Sequence, residues 1–180
     1  MNDDVSPLFI RWSLVHWAAL GAVALAAAIL LWGGRRLRME KRILVGKVLG
    51  AVFLLTFLAE TFGSIVREHW ETWQDRLPLH FCSLMTLVCF IALWYRRPWA
   101  CAAAYFGVLT ASIQGLITPM LYEGFPSAAF FAFFIGHGLL FISALYLPLV
   151  LEWRARPWDD VKTLLLCAAY LLLIIPVHIW

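Results

Sequence analysis

Long apolar runs and short polar clusters take turns along the chain, and within the runs there is no strict polar–apolar alternation. Six runs can be delimited: Trp12–Trp32, Leu44–Val66, Pro78–Tyr95, Trp99–Thr118, Ala128–Leu151 and Val161–Trp180. Each is close to the roughly 20 residues that a helix needs to cross a hydrocarbon core of about 30 Å. Barrel strands would be about half as long and would alternate in polarity. The pattern therefore predicts an all-α, polytopic membrane bundle of about six transmembrane helices, in one domain over residues 1–180. The first run is too long for the core of a signal peptide and follows the acidic Asp3 and Asp4, so it is expected to remain as an uncleaved helix.

Composition agrees. The chain is 63% hydrophobic with a mean hydropathy of +0.83, whereas soluble domains hold about 45–50% apolar residues. Charge then orients the bundle. Arg35, Arg36, Arg38, Lys41 and Arg42 fall in the first connection, Arg96 and Arg97 in the third, and Arg154 and Arg156 in the fifth. The positive-inside rule makes these connections cytoplasmic and puts both termini outside. The expected location is the cell membrane, as a multi-pass protein of a bacterial inner membrane. A net charge of +3 belongs to this topology, and no nucleic-acid partner is expected. Tryptophans at run ends, such as Trp12, Trp32, Trp94, Trp99, Trp153 and Trp158, read as interfacial anchors.

Polar groups inside the spans are costly, so each is a candidate for function. Glu60, His80, Cys82, Gln114 and His137 come from four helices, and all fall in the outer half of the expected bundle. One outward-opening polar cavity would account for them. His16 and His178 lie near run ends and read as interfacial, with their rings reaching toward water. Cys82 and Cys89 are a heptad apart, roughly 10 Å along one helix, beyond the α-carbon spacing of about 7 Å that a disulfide allows. All four cysteines are read as free thiols, and Cys89, Cys101 and Cys167 as packing residues. No paired CxxC and no HExxH occurs, so no metal or other cofactor is expected.

His80 and Cys82 stand about 200° apart around a helix axis and cannot point the same way. A base for the Cys82 thiol must then come from another helix, and His137 is the candidate. Its neighbours Gly136 and Gly138 would let a helix or a lipid chain approach the imidazole. A thiol needs a base to become a strong nucleophile in a low-dielectric site. A cysteine one turn below the interface lies at the depth of lipid ester bonds. Acyl transfer through a thioester is therefore the chemistry that fits, with His80 or Gln114 donating to the oxyanion and Glu60 in support. The alternative is a non-enzymatic membrane protein that binds a lipid or small molecule in the same cluster. Haem ligation by His80 and His137 fits poorly, because His137 is roughly 8–10 Å deeper by helical rise. The expected partner is a membrane phospholipid or other acyl lipid, and oligomeric state is not legible.

The stretches "FLAETFG", "LPLHFCSLM", "ASIQGLITP" and "FIGHGLLF", in that order, resemble the YwaF-like family of bacterial integral membrane proteins. That family is related to the eukaryotic transmembrane protein 164. The resemblance implies a lipid acyltransferase with Cys82 as nucleophile, and, by analogy with membrane-embedded ester hydrolases of similar fold, His137 as base. Family members usually continue past the sixth helix into an asparagine-tyrosine motif and a further apolar stretch, whereas this sequence ends at Trp180, so a truncated member is expected.

Overall fold

The computed structural model describes residues 8–66 and 80–179, less the side chains at 60, 61, 63–66 and 176–179. Among the described residues six helices follow one another: α1 (Leu14–Arg35), α2 (Met39–Val66), α3 (Phe81–Tyr95), α4 (Pro98–Ile117), α5 (Ala128–Leu149) and α6 (Asp159–Ile179). Among the described residues there is no strand; an isolated bridge pairs Leu8 with Glu123. The all-α membrane bundle is thus borne out. Among the described residues α1, α2 over Met39–Ala59, α4 and α5 are long and apolar enough to cross a membrane, while α3 is apolar but shorter.

Helix ends moved for local reasons. α1 starts at Leu14 because Ser13 caps it, its Oγ accepting the His16 N–H at 3.3 Å. α2 takes in the charged Glu40, Lys41 and Arg42 as its first turn, where an acidic residue suits the helix dipole. α3 begins at Phe81, so His80 is its N-cap residue and not an interior one. Pro78 lies outside the described residues. Pro98 opens α4, where its missing N–H costs little. α6 opens on Asp159 and Asp160.

α3 lies at the centre, packed on α2, α4 and α5, while α1 packs on α5 and α6 on α4. The run Ala100–Ala104 is buried and lets α3 and α4 approach closely. Cys89 and Cys101 are buried in this core, and all four cysteines are free thiols, as expected. The outer faces are oily instead: Leu25, Ile29, Leu55, Leu164, Leu172 and Leu173 are all exposed. A bundle solvated by lipid tails needs that arrangement.

At one end of the bundle Arg42 ties two connections together. Its guanidinium donates to the carbonyls of Leu37 (2.8 Å), Arg35 (2.7 Å) and Val150 (3.2 Å), and pairs with Glu152 at 2.7 Å. The Tyr146 hydroxyl donates to the Arg42 carbonyl at 2.9 Å. The Arg35 and Val150 carbonyls lie at the ends of α1 and α5 and the Leu37 carbonyl in the connection after α1, where no helical partner is left. Arg42→Ala is expected to lower unfolding stability by about 2–3 kcal/mol, since it strips charge-assisted bonds from three acceptors. Glu152→Gln should cost under about 1 kcal/mol, because that carboxylate is 64% exposed. Denaturant titration of the two purified variants measures the difference.

Candidate functional site

Cys82 lies in the first turn of α3 and is half-buried. Its carbonyl accepts the Thr86 hydroxyl at 3.0 Å, and its Sγ donates to Ser112 Oγ at 3.9 Å. Ser112, only 2% exposed, closes a π-helical segment, Val108–Ser112, in the middle of α4. There the Ile113 N–H reaches back five residues to the Val108 carbonyl. Thr110 bonds back to the Phe106 carbonyl at 2.6 Å, the kind of side-chain contact that bends helices. The wide turn holds one extra residue. Everything after it is rotated by about 100° relative to an unbroken α-helix.

His137 reaches α4 one turn further on. Its Nδ1 lies 3.0 Å from the Phe133 carbonyl, and its ring stacks on Phe133 with centroids 4.2 Å apart. A carbonyl can only accept, so Nδ1 carries the proton in this bond and Nε2 keeps its lone pair. That lone-pair edge covers Gly115: a Cβ built there would stand 2.8 Å from Nε2 and 2.6 Å from Cδ2. Ser112 and Gly115 are three residues apart, a rise of about 4.5 Å. Cys82 and His137 are therefore brought to successive turns of one helix, the first on Ser112 and the second over Gly115.

The other expected members are placed less centrally. His80 is exposed, its carbonyl accepting the Ser83 and Leu84 N–H groups while its ring makes no capping bond. Gln114 is exposed on α4, with its carbonyl taken by the Thr118 N–H and hydroxyl. The Glu60 and His178 side chains lie outside the described residues. His16 corrects an expectation. It is 0% exposed, not interfacial, because both ring nitrogens are satisfied inside the bundle. Nδ1 accepts the Trp12 N–H at 3.0 Å, and Nε2 donates to the Leu116 carbonyl at 2.9 Å, at the end of α4. The glycines beside His137 also act differently from the sequence expectation. Gly136 faces open space, and Gly138 admits Val23 of α1; the glycine under the imidazole is Gly115.

Sequence reasoning thus missed the roles of Ser112, Gly115 and the π segment. A Thr110–Ser112 pair inside an apolar span was the available signal, but helical wheels assume a regular turn. Between α1 and α5 runs a groove of about 490 Å³, floored by Ala18, Ala22 and Ala26 and walled by Phe130, Phe134 and Leu139. Its lining is apolar throughout and includes none of the site residues. Among the described residues no group of His, Cys, Asp or Glu side chains could hold a metal ion. What the site offers is a half-buried thiol, a hydroxyl against it, and an imidazole seated one turn further along the same helix.

In comparisons with known proteins, the family model described as the TMEM164 family matches residues 11–180. No curated protein and no solved structure matches the chain.

Proposed function

This chain belongs to the TMEM164 family, and from that premise we propose that it is a membrane-embedded lipid acyltransferase or lipid-ester hydrolase that works through a thioester on Cys82. The contact of Cys82 Sγ with Ser112 Oγ, one turn from the imidazole over Gly115, supports the reading most directly. Ser112 aims the sulfur, and His137 Nε2 takes the thiol proton, directly or through one water. The sulfur attacks the carbonyl carbon of a phospholipid ester, the carbon–oxygen bond breaks, and the lysolipid oxygen leaves with the proton from the imidazolium. A lysophospholipid hydroxyl, or water, then attacks the thioester and releases the sulfur as a thiol again. His80 and Gln114, exposed near the same end of α3 and α4, are placed to meet headgroup oxygens. The arginine-bearing connections face the cytoplasm of a bacterial cell and the site faces the outer leaflet.

A test follows from the intermediate. The full chain in phospholipid nanodiscs should acquire an acyl mass on the peptide that carries Cys82, and hydroxylamine should remove it. The apolar groove between α1 and α5 favours a second reading, a protein that holds a lipid without reacting with it. Lipid that co-purifies in stoichiometric amount, with no acyl mass on Cys82, would decide for that second reading.

A further inference from the structure

At the arginine-rich end of the bundle, far along α4 from Ser112, a second cavity opens between the starts of α4 and α6. Its volume is about 360 Å³, within the range of roughly 300–1,000 Å³ of small-ligand sites. Arg156, Lys162, Asp159 and Thr163 give its polar wall, and Trp99 and Leu166 its apolar one. Two cations thus face one carboxylate. That carboxylate is already engaged, since Asp159 Oδ2 accepts the Arg156 backbone N–H at 2.8 Å, and the Thr163 hydroxyl is held by the Asp159 carbonyl at 2.8 Å. Among the described residues Arg156 and Lys162 have no ion-pair partner.

The start of α4 adds a donor. Pro98 occupies its first position and no side chain caps it, so the N–H of Trp99, which lines the cavity, has no acceptor among the described residues. Unpaired cations and the uncapped Trp99 N–H beside one cavity call for an anion with several oxygens. The surroundings select its carrier. Trp99 is 53% exposed at the rim, and Leu166 of α6, which lines the cavity, is itself 43% exposed. An interfacial ring and an exposed leucine at the cavity suit a headgroup whose acyl chains lie along the oily outside of the bundle.

We propose that this cavity binds the phosphate of an anionic phospholipid of the arginine-side leaflet, with Arg156 and Lys162 as its cationic contacts. The site is separate from Cys82 and does not depend on the chemistry assigned there.

Calorimetric titration of the purified full chain in detergent tests it, with dioctanoyl phosphatidylglycerol, dioctanoyl phosphatidylcholine and inorganic phosphate as the three probes. Phosphatidylglycerol should bind saturably at one site and at least roughly tenfold more tightly than the other two. The Arg156→Gln/Lys162→Gln double variant should lose that preference by roughly tenfold or more. Both side chains are exposed, so the fold should survive, and an unchanged melting temperature checks this. Arg36→Gln/Arg38→Gln removes two exposed charges from another connection at the same end and should leave binding unaltered. Equal affinity for inorganic phosphate would overturn the lipid as ligand. Equal losses in the two double variants, or none in the first, would overturn the site.

Discussion

Cys82→Ala is expected to lower acyl turnover by on the order of a thousandfold or more, because it removes the atom on which the acyl group would travel. Turnover here means the transfer of a labelled chain from phospholipid to lysophospholipid, or its release as free acid, by the full chain in liposomes. The variant should fold normally. Cys82 is half-buried, and the bond that ties it to the next turn uses its backbone carbonyl, which alanine retains. Cys82→Ser is the informative companion, since it keeps a hydrogen-bonding group against Ser112 but is a far weaker nucleophile without a strong base. Both variants should lose turnover while their melting temperatures stay close to the parent's. Turnover that survives in Cys82→Ala would remove the thioester from consideration.

Gly115→Ala should be nearly as damaging, although the residue carries no reactive group. The added methyl would stand 2.6 Å from His137 Cδ2, closer than real contacts allow, and the ring has little freedom to withdraw. On its other side the imidazole is stacked on Phe133 and bonded to the Phe133 carbonyl. A displacement near 1 Å is enough to lower a rate by about a hundredfold. Alanine's preference over glycine in a helix interior, about 1 kcal/mol, offsets part of the overpacking cost of about 1–3 kcal/mol. The expected signature is therefore a loss of turnover of about a hundredfold with a net loss of stability of no more than about 2 kcal/mol. Gly136→Ala, directly next to His137 in sequence but facing open space, should leave turnover unchanged. Equal turnover in Gly115→Ala and the parent would separate the imidazole from the reaction.

The two variants differ in how visible their targets are in the sequence. Cys82 is singled out by its chemistry and its shallow depth in an apolar run. Gly115 looks like any small residue in a membrane helix, and Gly136 and Gly138 look more important because they flank the histidine. The side of α5 that His137 presents, and the rotation that the π segment gives α4, decide which glycine lies beneath the ring. His16 shows the same limit. A histidine near a run end reads as interfacial, yet the orphan carbonyl of Leu116 and the Trp12 N–H bury it completely.

Helix type, the order of the six helices and the oily outer surface were legible in the chain because hydrocarbon tests each residue separately. An apolar run of sufficient length can only be a helix there, whatever its neighbours do. The free thiols and the grouping of the arginines into alternate connections were legible for similar reasons of spacing and count. The contact of Cys82 with Ser112, the seat of His137 over Gly115 and the basic cavity at the start of α4 were decided only in three dimensions. Each depends on the rotation of one helix against another and on one extra residue in a single turn, and those quantities are set by packing between segments far apart in the chain.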